Sequence, residues 1–129
     1  SSDAPALDIV YKLQSYAGIA RRKRSEAKAT WPGAKQVLRR TGNDGRMAGD
    51  VVQLDTEPLA GAALLQPRMR GGRRIAPSVT LADARAHHAA QLRALPERLH
   101  GLAPATQPYP VDISPALRAL AREVDAATR

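Results

Sequence analysis

Apolar and polar residues alternate in short stretches over the first half of the chain and recur at helical spacing only in its last third. Leu7–Leu13 (LDIVYKL) is rich in β-branched and aromatic residues, with Ile9, Tyr11 and Leu13 alternating with Val10 and Lys12, which predicts a strand. Lys35–Arg40 (KQVLRR) predicts another. Trp31-Pro32-Gly33 between them is a turn signal, because Pro presets its own φ and Gly tolerates the left-handed region. The region reads as a small antiparallel meander. Further on, Asn43-Asp44-Gly45 is the strongest hairpin signal in the chain, and Asp50–Asp55 and Ala63–Met69 read as short strands. Pro67 makes the second of these an edge or an interrupted strand.

The period then changes. Thr80 is placed to cap a helix over LADARAHHAAQLRAL, with Asp83 in capping-box position, and Pro96 stops it. Leu81, His88, Leu92 and Leu95 would share its buried face. A second helix opens at Ser114-Pro115, a cap residue followed by Pro at the first helical position, with Leu117, Leu120, Ala121 and Val124 as its apolar stripe. The Pro-rich stretch between the helices, HGLAPATQPYPVDI, reads as extended. The chain thus divides into an opening strand region (1–16), a basic β-rich segment (17–77) and a C-terminal helical segment (78–129). This is an α+β arrangement.

Composition weakens the picture of a self-sufficient core. The chain is 129 residues long and 43% hydrophobic, but 25 of those residues are Ala, with no Phe, one Trp and three Tyr. Alanine buries little area, so this looks like one part of something larger. The chain lacks an initial Met and is expected to begin at a cut or processing site. It has no Cys, which fits a reducing compartment, and no apolar run long enough to span a membrane; a cytoplasmic location is the expectation. Adjacent His87 and His88 point about 100° apart on a helix, and His100 is the third and last His, so no metal site is expected in this chain.

Charge is what singles out one stretch. Residues 21–40 hold eight Lys or Arg against one acid, Glu26, and so carry +7 of the formal +8. The basic residues alternate with small ones (Ser25, Ala27, Ala29), leaving backbone N–H groups approachable. Ser25 and Thr30 add hydroxyls, and Gly33 an open backbone. Cations, a hydroxyl and accessible amides are the parts of a phosphate or pyrophosphate site. A nucleic-acid site would add stacking aromatics or a long basic helix, whereas Trp31 is the only aromatic here and Pro32 opposes a long helix. Arg68–Arg74 (RMRGGRR) is a second, smaller basic cluster, open to reading as an RNA-type segment or as a loop supplying arginines to the same anion. No residue pair makes a catalytic centre, and no nucleophile-elbow, zinc-helix or P-loop motif is present.

The order of residues in the basic stretch is more specific than its charge. KRSEAKATWPGAKQVLRR is similar to the K-x-S-x-G-K-x-T-x-P-G-x-K-Q-V-x-R signature of bacterial nicotinate phosphoribosyltransferases, and Ala27 stands at the motif's Gly. SSDAPALDIVYKLQSYAG, GDVVQL, LLQPRMRGGRR and YPVDISPALRAL resemble further pieces of that family in the same order. The resemblance implies the C-terminal portion of a type II phosphoribosyltransferase, with residues 1–16 as the last strand region of its irregular α/β barrel. It implies an enzyme that joins nicotinate to phosphoribosyl pyrophosphate, giving nicotinate mononucleotide and pyrophosphate. ATP hydrolysis would be coupled to the step, in NAD salvage, usually in a homodimer. By resemblance Lys23, Ser25, Lys28 and Arg39 would bind the phosphates of ATP or pyrophosphate, and Ser1 and Ser2 would border a 5′-phosphate pocket. Lys35 and Gln36 are equally open to a structural role. Mg²⁺ would accompany ATP, with ligands outside this chain. The phosphorylated His and the nicotinate-binding Arg would lie upstream, so the chain is expected to be inactive alone. The rival readings are an inactive split or degenerate homologue serving as an interaction module, and a small basic nucleic-acid-binding protein.

Overall fold

The computed structural model describes residues 12–25 and 28–127. Most of the predicted Leu7–Leu13 strand lies outside them, and Lys12 and Leu13 are in no regular element. Two small hairpins open the described chain: β1 (Ser15–Tyr16) pairs with β2 (Ile19–Ala20), and β3 (Arg24–Ser25) with β4 (Lys28–Ala29). The long antiparallel pair β5 (Lys35–Thr41) and β6 (Met47–Leu54) follows, turning at Asn43-Asp44-Gly45 as the sequence predicts.

The predicted meander is therefore corrected. Lys35–Arg40 pairs not with the segment before it but with β6, because the Asn-Asp-Gly turn makes that the local pairing. β6 also begins earlier than the predicted Asp50, at Met47, past a register irregularity at Arg40 and Thr41. The predicted strand Ala63–Met69 is not formed. β7 is only Ala62–Ala63, on the outer edge of β5, and β8 starts at Met69. The Gln36 side chain takes over the pairing after β7, donating to the Leu65 carbonyl at 3.0 Å while accepting from the Leu65 amide at 2.9 Å.

β8 (Met69–Arg70) and β9 (Arg73–Arg74) form a separate arm. Gly71 and Gly72 turn it with φ of 54° and 73°, the doubly left-handed geometry of a tight hairpin. Beyond the first helix, the end of the stretch read as extended is a paired strand, which the sequence did not signal. β10 (Val111–Ile113) joins β6 in parallel, giving a sheet in the order β10-β6-β5-β7. The flanking prolines hide it in the sequence, although only its outer edge is left unpaired.

The core is small. Leu38 on β5, Met47 on β6, and Leu117 and Ala121 on α2 (Pro115–Ala126) are its buried apolar residues. Leu117 and Pro32 are fully buried. The predicted cap is present: Ser114 accepts from the Leu117 amide at 3.1 Å, and its hydroxyl donates to Glu57 at 2.7 Å. Glu57 also accepts from the Leu54 amide, so one carboxylate ties the end of β6 to the start of α2.

The other helix, α1 (Leu81–Ala94), has the predicted capping box of Thr80 and Asp83 but not the predicted buried face. Leu81 and Leu92 are 67% and 47% exposed, and His88 is exposed as well. Its ties to the rest of the chain come late, through Gln91 and Leu95, so the first turns stand clear of the sheet. Tyr16, Ile19, Leu59, Leu65, Met69 and Leu102 are likewise exposed. This much uncovered apolar surface matches the thin composition and leaves the fold dependent on further contacts for burial.

Candidate functional site

Within the basic stretch the chain makes a closed excursion. The Gln14 carbonyl accepts from Arg21 N–H at 2.9 Å and from Gly33 N–H at 2.8 Å, so departure and return meet at one atom. Between them Thr30 holds the next rung: its hydroxyl accepts from Lys23 N–H at 3.0 Å, and its own N–H donates to the Lys23 carbonyl at 3.1 Å. The β3–β4 hairpin then carries the register Arg24 to Ala29 and Ser25 to Lys28.

Alternate side chains from Arg22 to Ser25 go to different places. Arg22 and Arg24 reach Asp125 on α2, at 3.5 and 3.3 Å, and Arg22 is 11% exposed. Two guanidiniums lie over the Trp31 ring, Arg22 at 5.7 Å and Arg118 of α2 at 5.9 Å from its centroid. Such contacts are worth about 0.5–1 kcal/mol each when exposed and more when dehydrated. The cost falls on Arg22, whose Nε is buried without a hydrogen-bond partner. One face of the hairpin is thereby fixed to α2. Lys23 and Ser25, on the alternate positions, belong to the other face and are exposed. Lys28 stands opposite Ser25 in the ladder.

The remaining motif residues are held inside the chain. The Lys35 ammonium donates to the Gln14 side-chain oxygen and to the backbone carbonyls of Trp31, at 2.9 Å, and Gly33. Burial pulls its pKa below the ordinary lysine value, and Asp55 opposes that pull. Arg39 forms a two-pronged pair with Asp50, Nε to Oδ1 and Nη2 to Oδ2, both 2.9 Å. Tyr109 O–H donates to the same carboxylate at 2.9 Å. The hydrogen bond from Arg39 holds the Asp50 carboxyl below its usual range, with Tyr109 reinforcing it against burial.

Of the predicted phosphate residues, the structure therefore brings Lys23, Ser25 and Lys28 onto one hairpin. It places Arg39 on β5 against Asp50. Ser1, Ser2 and Ala27 lie outside the described residues. Sequence reasoning missed the clamp formed by Arg22, Trp31, Arg118 and Asp125; a lone Trp among arginines was its available signal. Among the described residues no group of three or more His, Cys, Asp or Glu is placed to hold a metal ion, and no helix is long and apolar enough to cross a membrane.

The described chain is an α+β unit with a basic hairpin tied to its last helix. Residues 60–121 match the nicotinate phosphoribosyltransferase C-terminal domain. Over 115 residues the chain is 43% identical to a nicotinate phosphoribosyltransferase of Mycobacterium tuberculosis, covering 88% of this chain and 25% of that protein. A bovine nicotinate phosphoribosyltransferase is 46% identical over 56 residues, 42% of this chain and 10% of that one. The crystal structure of human nicotinic acid phosphoribosyltransferase superposes with a TM-score of 0.78 at 27% identity, over 90% of this chain and 26% of that chain. The chain corresponds to the C-terminal part of nicotinate phosphoribosyltransferases. It spans about a quarter of the mycobacterial relative's length.

Proposed function

We propose that this chain works as the C-terminal part of an enzyme that makes nicotinate mononucleotide and pyrophosphate from nicotinate and phosphoribosyl pyrophosphate. ATP hydrolysis drives the step, in cytoplasmic NAD salvage. The supporting observation is the two-faced β3–β4 hairpin: Arg22 and Arg24 hold it to α2, while Lys23 and Ser25 occupy its other face with Lys28 in register beside them. The chain's part is electrostatic. Lysines held on a fixed hairpin oppose the negative charge that develops on transferring and departing phosphates, and a site already in place loses nothing to reorganisation. Ser25 adds a neutral hydroxyl. Arg39, engaged with Asp50, aligns β5 rather than reaching out on its own. ATP, accompanied by Mg²⁺ on ligands from elsewhere in the enzyme, supplies the phosphoryl group. The reacting ring and the acceptor of that phosphoryl group belong to the remainder of the enzyme, in a homodimer, and the chain by itself is inactive.

The test is kinetic. In the enzyme that carries this chain, Lys23→Ala and Lys28→Ala are each expected to raise KM for ATP or phosphoribosyl pyrophosphate by about tenfold, the loss of one charge-assisted contact of about 1.5 kcal/mol. Unchanged constants for both substrates in both variants would remove the hairpin from the site.

A further inference from the structure

Lys35 belongs to the basic-stretch motif, but its ammonium is turned onto oxygens of the chain itself. An ammonium has three protons. Here it meets four oxygens: the side chain of Gln14 and the carbonyls of Trp31, Gly33 and, more distantly at 3.5 Å, Pro32. Three successive carbonyls converge because Gly33 takes φ of 75°, which curls the chain back on itself. A Cβ at that position would approach Leu120 at 3.1 Å, so glycine is wanted there for space as well. The same Gln14 receives the Arg21 and Gly33 amides on its backbone oxygen. Gln14 and Lys35 therefore close the two ends of the excursion that bears Lys23, Ser25 and Lys28.

We infer that Lys35 is an internal cation that clasps the base of the basic hairpin and so sets where its lysines stand: a positioning residue, not a ligand of phosphate. This inference rests on the phosphate reading proposed above. An ammonium in a cage of carbonyls does what a bound monovalent cation would do, with the difference that it is tethered to β5. Its lowered pKa, caused by burial, is consistent with the same enclosure. Removing it leaves the Trp31 and Gly33 carbonyls without this donor and frees the return limb of the hairpin from β5. The substrate contacts themselves would remain intact but displaced. Misplacement of about 1 Å is enough to weaken a charged contact strongly.

The experiment uses Lys35→Ala in the enzyme that carries the chain, with Lys23→Ala alongside. Truncation to Ala removes three methylenes and the ammonium, and n-propylammonium supplies them back. Lys35→Ala is expected to raise KM for phosphoribosyl pyrophosphate or ATP about tenfold or more with kcat little changed. It is also expected to speed hydrogen exchange at the Lys23 and Thr30 amides. Both effects should reverse with n-propylammonium and not with tetramethylammonium at equal ionic strength, since the latter has no N–H to donate. Lys23→Ala should raise KM with no response to either amine. Unchanged amide exchange, or a raised KM indifferent to n-propylammonium, overturns the clasp. If Lys23→Ala leaves KM unaltered, the phosphate reading fails instead, and amide exchange with its reversal decides the clasp alone. Should Lys35→Ala fail to fold, Gln14→Leu removes one acceptor and must still raise KM to a smaller degree; no rise overturns the inference.

Discussion

Asp50→Ala is expected to lower the stability of the protein by about 2–3 kcal/mol, and the melting temperature by roughly 8–12 °C. Asp50 sits on β6, 8% exposed, and two neighbouring segments converge on its carboxylate. Arg39 of β5 donates twice, Tyr109 from the segment before β10 donates once, and Arg40 adds favourable charge nearby. Breaking one partner out of a buried pair typically costs about 3–5 kcal/mol, because the other charge stays dehydrated. The Arg39 side chain keeps 23% of its surface in water, which places this pair below that range. Replacing both members with apolar residues, Arg39→Met with Asp50→Leu, should cost less than Asp50→Ala alone.

The same pair fixes a dependence on acid. The folded-state pKa of Asp50 is depressed, so its contribution is fully present above the unfolded carboxylate value near about 4 and is lost as pH falls through the lower folded value. Thermal melts across the acid range should show a fall in stability that Asp50→Asn largely abolishes. A wild-type acid limb matching that of Asp50→Asn would contradict the assignment.

Local signals made some of this legible from the residues alone. Asn43-Asp44-Gly45 forced the β5–β6 pairing, Ser114-Pro115 opened α2, and Thr80 with Asp83 capped α1. These features are decided within about four residues, where turn and cap chemistry acts. What remained hidden depends on distant partners. VDI reads as extended, but its pairing does not show in the residues: β10 is a strand because β6 offers it a free edge. The apolar stripe of α1 obeys helical spacing, yet nothing among the described residues covers Leu81 or His88. In the site, the resemblance picks out Lys23, Ser25, Lys28 and Arg39 and leaves Lys35 equally open to a structural role. Alternation of charged and small residues could not by itself separate the cations, which carry the same charge. The positions of Gln14 and Asp50 set Lys35 and Arg39, held inside, apart from the exposed Lys23.

Leu117→Ala should have the other large effect, about 3 kcal/mol, and its consequences should reach the basic hairpin. Leu117 has no exposed surface and is the largest apolar residue that α2 lays against the sheet. Truncating a buried leucine costs about 2–5 kcal/mol, through lost transfer free energy and the cavity left behind. Leu117→Met, which keeps the volume, should cost less than about 1.5 kcal/mol. α2 also carries Arg118 against Trp31 and Asp125 against Arg22 and Arg24, so its docking and the hairpin clamp are one arrangement. The two should be coupled. Asp125→Ala alone frees two arginines and should loosen the hairpin, while in a Leu117→Ala background much of that effect is already spent. A double-mutant cycle read by amide exchange at Lys23 and Thr30 should therefore depart from additivity, by about 0.5 kcal/mol or more. Strict additivity would mean that α2 and the basic hairpin are held independently, and the sheet alone would then have to fix where Lys23 stands.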